Sequence, residues 1–439
     1  MKKDIQHDAQ LDNLIADEEA RQRTFLNLIA SENHTSPQVR EAVGSVLAHK
    51  YAEGLPRKRY YGGCEVVDEV ELLAIRRAKE LFGASWANVQ PHAGSQANAA
   101  VLQALLSPGD RILGFNLNHG GHLTHGSPVN FSGKLYQASF YGVSEETGMV
   151  AMDKLAEAAR KAKPQLIICG GSSYSRDWDY VQLRAIADEV GAYLLADIAH
   201  PAGLIARGLL RNPIPHCHVI TTTTHKTLRG PRGGMILMGE DMEKRHGVRD
   251  RKGKLRSVSS LLDSGVFPGT QGGPHMNNIA GKAVAFHEVQ TEGYLSYVQE
   301  VQRSAKVLAS ALAARGYHIV SGGTDNHMIL LDLRAQGITG KQAEGVLSKA
   351  GIIVNKNLIP FDPASPFTTS GIRIGTPTII TRGLGASDMA QVAAWIDDAL
   401  QQGMDEGALQ RVAGEVAEVM GRYPLFANTA RPQAEVAVT

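Results

Sequence analysis

Between residues 66 and 285 the hydrophobic period of the chain switches repeatedly between helix and strand. VDEVELLAIRRAKELFG repeats apolar positions at helical spacing and stops at Gly83, and QANAAVLQALL is a short apolar helix. PGDRILGF reads as a turn and strand, 153–162 as a helix, PQLIICGG as a buried strand and LRAIADEV as a helix. AYLLADIA, HVITTTT and GGMILMG then read as strands. Such alternation predicts an α/β fold with a mainly parallel sheet covered by helices, and ligands at the carboxyl ends of its strands. Residues 8–30 read as an amphipathic helix, followed by a loop at Ser31-Glu32-Asn33. A helical segment over 276–316 leads into GYHIV, MILLDL and IIVNKN, a smaller α/β unit. The expected divisions are an N-terminal arm and helix (1–58), a large domain (59–283) and a small C-terminal domain with a tail (284–439).

Composition narrows the class. With 43% hydrophobic and 20% charged residues the chain reads as an ordinary globular protein, and a net charge of +1 gives nucleic acid or an acidic membrane no handle. Cys64, Cys169 and Cys217 form no CxxC pair, which fits a reducing compartment. No apolar h-region marks the first twenty residues, so a soluble, cytoplasmic protein is expected.

The chemistry concentrates in VITTTTHKTLRGPRGG, Val219 to Gly234. An apolar strand runs into threonines and then into Lys226, where desolvation favours the neutral, nucleophilic amine. GAYLLADIAH ends another strand on Asp197. A lysine and a carboxylate at two strand ends match how pyridoxal phosphate is held, by a Schiff base and by an acid on the ring nitrogen. Gly94-Ser95 at a helix start offers backbone N–H groups to a phosphate, although an ordinary serine cap has the same appearance. HGGHLTHG spaces His119, His122 and His125 by three. Gly120 and Gly121 oppose the continuous helix that would align them on a metal, no metal is expected, and one imidazole stacked on a cofactor is the competing use. Arg373 suits a substrate carboxylate. KYAEGLPRKRYYGGCE, residues 50–65, reads as a loop lending polar side chains to a site.

From LIASENHTS at residue 28 to IRIGTPTIITRG at 372–383 the chain closely resembles serine hydroxymethyltransferases. The match includes KYAEG, KRYYGGCE, NVQPHAGSQAN, NHGGHLTHG, DIAHPAGL, TTTTHKTLRGPRGG, FPGTQGGP, VSGGTDNH and SGIRIGTP. The resemblance implies a fold-type I, aspartate-aminotransferase-like pyridoxal phosphate enzyme that interconverts serine plus tetrahydrofolate with glycine plus 5,10-methylenetetrahydrofolate. By resemblance, Lys226 would carry the cofactor and Asp197 would pair with its ring nitrogen. His122 would stack on the ring, Ser172 and His200 would bind its substituents, and Thr223 and His225 would adjoin it. Gly94 and Ser95 would hold the phosphate, joined by Tyr51 and Gly272-Gly273 of a neighbouring subunit. Arg373 and Ser31 would hold the substrate carboxylate, Glu53 would act as acid–base and Tyr61 would assist exchange. Folate would contact Leu117, Gly121, Leu123, Asn357 and Ser365-Pro366-Phe367. Shared sites imply a homo-oligomer, dimer or tetramer.

The chain departs from the commonest family pattern at Leu55, Arg57, Ala93, Gly171, Ser173, Thr270 and Leu358-Ile359. None touches Lys226, Asp197, Arg373 or Glu53, so they bear on substrate range and folate affinity; the alternative reading is a related pyridoxal phosphate enzyme acting on 3-hydroxy or α-methyl amino acids.

Overall fold

The computed structural model describes residues 8–243, 248–250, 252–403 and 405–425. The expected tail lies outside the described residues from 426 onward, as does the start of the expected N-terminal arm. Among the described residues, seven strands form the central sheet: β1 (Trp86–Asn88), β2 (Arg111–Phe115), β3 (Gln137–Tyr141), β4 (Leu166–Cys169), β5 (Tyr193–Asp197), β6 (Val219–Thr223) and β7 (Gly234–Met238). Their spatial order is β1-β7-β6-β5-β4-β2-β3. All pairs from β6 to β3 are parallel, while β7 runs antiparallel to both neighbours. β1 and β3 are strands that the hydrophobic pattern does not announce, because both carry polar residues through their short lengths.

Period-2 alternation divides the sheet between two cores. Leu113, Ile167, Leu194 and Ile220 face one cluster, and Ile112, Leu166, Leu195 and Val219 face the other. Helix α2 (Glu65–Phe82) covers the first and α3 (Gly94–Leu105) the second. The expected helix over 276–316 is two helices, α4 (Met276–Val289) and α5 (Glu292–Ala313), parted where Thr291 caps α5. Residue 284 lies inside α4, and the passage between cores runs through α5, with Val298 in the first core and Val301 in the core of the C-terminal part.

That part contains a four-stranded sheet of β8 (His318–Ile319), β9 (Met328–Asp332), β10 (Asn355–Asn357) and β11 (Gly371–Gly375), in order β8-β9-β11-β10 and antiparallel throughout. IIVNKN is not one strand: Ile352–Ile353 pairs with Leu26–Asn27, and only Asn355–Asn357 joins this sheet. The first helix is likewise shorter than the expected 8–30. It spans Ala9–Thr24 without a buried residue, and Leu26 and Leu28 leave it to enter the core as extended chain. Among the described residues no helix is long and apolar enough to cross a membrane.

Candidate active site

Strand β5 ends on Asp197, whereas β6 ends at Thr223, so Lys226 stands three residues beyond its strand rather than at its end. The intervening loop is stapled internally. Thr224 N–H donates to Gly233 O at 3.1 Å, its hydroxyl donates to Pro231 O at 2.7 Å, and Gly230 N–H returns to Thr224 O at 2.7 Å. The Asn33 amide holds the Lys226 carbonyl at 3.0 Å. Lys226, Asp197, Thr223, His225, His200, His122, Ser172, Gly94, Ser95 and Ser31 all line one cavity of about 310 Å³, with His125 and Arg232.

Asp197 is the electrostatic centre. Burial would raise its pKa, but His125 at 3.2 Å, the His122 ring and the Asn98 amide at 2.8 Å hold it well below the carboxylate range. Ala199 N–H adds a bond at 3.1 Å. Asn98 uses its whole amide here: its Nδ2 donates to Asp197 and Thr124, and its Oδ1 accepts from Thr221 at 2.6 Å. A carboxylate so fixed presents a permanent negative charge to whatever occupies the cavity.

The amine and the imidazoles move the other way. Burial, opposed by Asp197 and helped by Arg373 and Arg232, lowers Lys226 to about 8. Burial takes His122 to about 4, and burial with the Lys226 and Arg232 charges takes His225 to about 3. His200 falls well below its ordinary value through burial, Lys226 and Arg373. These rings are neutral at pH 7. The His122 ring is held by the Thr124 hydroxyl at 2.7 Å, and His200 Nδ1 faces His327 Nε2 at 3.3 Å. His225 Nδ1 is buried without a partner among the described residues.

Helix α3 begins at Gly94, with Ala93 in the cap position and no side-chain cap, so Ser95 is not an ordinary cap. Its first N–H groups are therefore left for a ligand, with the positive end of the helix dipole behind them. A Cβ on Gly94 would lie 2.8 Å from the Thr223 methyl, so glycine keeps this corner open. An anionic group at a helix N-terminus, a cationic ring nitrogen at Asp197 and a carbonyl at Lys226 are what the donors present would accept. Pyridoxal phosphate supplies all three.

The remaining expected residues fall in two further places. Arg373, on β11, donates from Nη1 to Ser172 O at 2.6 Å and from Nε to Asn355 at 3.0 Å, and burial lowers it to about 10, still cationic at neutral pH. Beside it Asn357 donates to Ser173 Oγ at 3.2 Å, so the small sheet docks on the 171–173 turn. Gly121 is packed against the Phe115 carbonyl, Leu117 and Leu123 are partly exposed, and Phe367 is 84% exposed in its Ser365-Pro366-Phe367 turn. Tyr51, Glu53, Tyr61, Gly272 and Gly273 do not line this chain's Lys226 cavity. They gather elsewhere: the Tyr51 and Tyr61 rings are 5.1 Å apart, a Gly273 Cβ would meet the Tyr51 ring at 3.0 Å, and a Gly272 Cβ would meet Glu53 Oε1 at 3.4 Å.

Of the three spaced histidines, His119 turns away, accepting from Val143 N–H at 3.1 Å beside Phe361. His122 and His125 converge with Asp197, ligand atoms within 4.8 Å, as the left-handed Gly120 and Gly126 turn the chain. Neither the His125 bond to Asp197 nor the Asn98 bridge follows from the motifs. The available signal for Asn98 is one amide on the otherwise apolar buried face of its helix. The family model described as serine hydroxymethyltransferase matches residues 5–396 of the chain.

Proposed function

We propose, from the premise that this chain belongs to the serine hydroxymethyltransferase family, that it reversibly converts L-serine and tetrahydrofolate to glycine and 5,10-methylenetetrahydrofolate. The family is one of pyridoxal phosphate-dependent transferases with tetrahydrofolate as co-substrate, and the chain is an enzyme of that class. The observation that carries the reading is the meeting of Lys226, Asp197, neutral His122 and the open N-terminus of α3 in one cavity.

When bound, the cofactor supplies an electron sink for the carbon next to the substrate amine. The residues of this chain do the rest. The Lys226 amine would hold the cofactor's aldehyde group, and Gly94 and Ser95 its phosphate. Asp197 would keep a proton on the ring nitrogen. His122 would lie against the ring, Ser172 and His200 would bind its substituents, and Thr223 and His225 would border the lysine. Arg373, with Ser31, orients the substrate carboxylate; its Nη2 makes no bond among the described residues. Glu53 moves a proton at the hydroxymethyl oxygen and Tyr61 assists substrate exchange, with Tyr51 and Gly272-Gly273 reaching the phosphate of a neighbouring copy. Folate lies along Leu117, Gly121, Leu123, Asn357 and the Ser365-Pro366-Phe367 turn. The working unit is a cytoplasmic homo-oligomer, dimer or tetramer.

Glycine formation from serine should collapse when tetrahydrofolate is withheld. Undiminished turnover without it would favour the related reaction on 3-hydroxy or α-methyl amino acids. Lys226→Ala should abolish multiple turnover, and normal steady-state activity in that variant would remove the lysine from its role.

A further inference from the structure

Lys282, on α4, is among the largest fully buried side chains in the molecule, and the reaction described above does not use it. Its Nζ donates to Val89 O at 2.6 Å, Gly234 O at 2.8 Å and Pro91 O at 3.0 Å. Three acceptors match the three N–H bonds of an ammonium, and a neutral amine would set its lone pair against a carbonyl. Burial, opposed by the Glu71 carboxylate, lowers the lysine to about 7, and the three carbonyl acceptors around Nζ favour its cationic form. Glu71 is itself committed to Arg59 at 2.6 Å and Gln90 at 2.8 Å, so among the described residues Lys282 bonds carbonyl dipoles and no carboxylate.

The caged carbonyls come from two functional segments. Val89 and Pro91 lead into Ala93-Gly94-Ser95, while Gly234 closes the loop that carries Lys226. The segments touch where the ammonium sits: Gly234 N–H donates to Pro91 O at 2.9 Å. A Cβ on Gly234 would lie 2.5 Å from Ala93 O, and one on Gly233 would lie 2.4 Å from Lys282 Cε. A Cβ at Gly234 would push the two segments apart, and one at Gly233 would displace the lysine stem.

We propose that Lys282 is a positioning residue for the cofactor, an internal cation that fixes the phosphate-binding turn at Gly94-Ser95 relative to the Lys226 loop. The inference rests on the pyridoxal phosphate reading of the cavity. Its test uses full-length apoprotein titrated with pyridoxal phosphate, with choline as the sole monovalent cation and then with potassium or methylammonium added. Lys282→Ala should bind the cofactor at least about tenfold more weakly in choline and return to within about threefold of wild type with a small cation, to which wild type is indifferent. Wild-type affinity of Lys282→Ala in choline, or a loss that neither cation restores, would overturn the proposal. Should Lys282→Ala fail to fold, Gly233→Ala keeps the ammonium but displaces its stem and should weaken binding by about the same factor; unchanged affinity there would equally overturn it. Failure of wild type itself to take up the cofactor would instead refute the reading of the cavity.

Discussion

Lys226 stands in a field that opposes its own charge. Burial is the largest contribution to its shift, Asp197 opposes it, and Arg373 and Arg232 add to it, for a pKa of about 8 against an ordinary 10.5. A lowered lysine pKa means that the neutral amine is present above about 8 rather than above 10.5. Capture of pyridoxal phosphate by the apoprotein should therefore accelerate with pH and level off above about pH 8. A rate still climbing steeply to pH 10 would contradict the field described. Arg57 offers a stability test at the same scale. It holds φ at 64° between Leu55 and Lys58 of a hairpin, a left-handed conformation that glycine adopts without a Cβ penalty. Its backbone N–H donates to Asp68 at 2.6 Å, a bond any residue keeps, and its pairing with Glu69 is highly exposed and worth little. A left-handed L-residue costs about 1 kcal/mol, and part of that returns through glycine's freedom in the unfolded chain. Arg57→Gly should thus gain on the order of 0.5 kcal/mol, read as a higher denaturant midpoint. At this scale the sequence exposed the residues that act directly, because a lysine and an aspartate that follow buried apolar runs stand out against them. The Asn98 and Lys282 contacts and the His125 bond to Asp197 are not legible there, because each joins segments far apart in the chain.

One arginine shows what ties the terminal helices together. Arg382 donates to the carbonyls of Gln22, Arg23 and Phe25 at the end of α1 (Ala9–Thr24) and to those of Met420 and Tyr423 at the end of a C-terminal helix, Glu406–Gly421. The last carbonyls of a helix lack internal partners, and a cation there also meets the negative end of the dipole. Burial lowers the guanidinium only to about 10, so it stays charged at neutral pH. Arg382→Ala strands these carbonyls and should cost about 3 kcal/mol. Arg382→Lys should recover little of it, since an ammonium cannot reproduce the five-donor fork. Amide exchange should rise selectively near residues 20–25 and 418–423; a uniform rise, or none, would count against this clamp. The helix-period pattern overran the end of α1 for a related reason. Leu26 and Leu28 continue an apolar rhythm, yet they are buried by pairing with Ile352–Ile353, a partner more than 300 residues away. The parallel strands β2, β4, β5 and β6 were legible because burial on both faces gives them apolar runs, while β1 and the parallel edge strand β3, which carry polar residues, were not.

For the whole molecule the decisive fact is a separation. Tyr51, Glu53, Tyr61 and Gly272-Gly273 form a surface group of their own, and none lines the cavity that holds Lys226 in the same chain. Tyr51 is 55% and Tyr61 47% exposed, large aromatic surface for a lone subunit to leave in water. An isologous two-fold pairing would bring this group of one copy to the cavity of the other, giving two equal composite sites. The resemblance would place these residues in one site, with Tyr51 and Gly272-Gly273 from a neighbouring subunit, whereas chain order alone is blind to symmetry and assigns none of them to a subunit. Mixing inactive variants distinguishes the arrangements. Lys226→Ala retains Glu53, and Glu53→Gln retains Lys226. In a hybrid dimer with shared sites, one site draws Lys226 from the second chain and Glu53 from the first and is intact, while the other lacks both. Random reassociation makes half the dimers hybrids with half their sites intact, so about a quarter of wild-type activity should appear. If every site were built from a single chain, no combination would contain both residues and the mixture would stay as inactive as its parts. Reassociation must go through dissociated subunits, so activity should emerge only after the two variants are unfolded and refolded together or expressed in the same cell. Activity appearing at once on mixing intact oligomers would point to exchange too fast for a shared, buried interface.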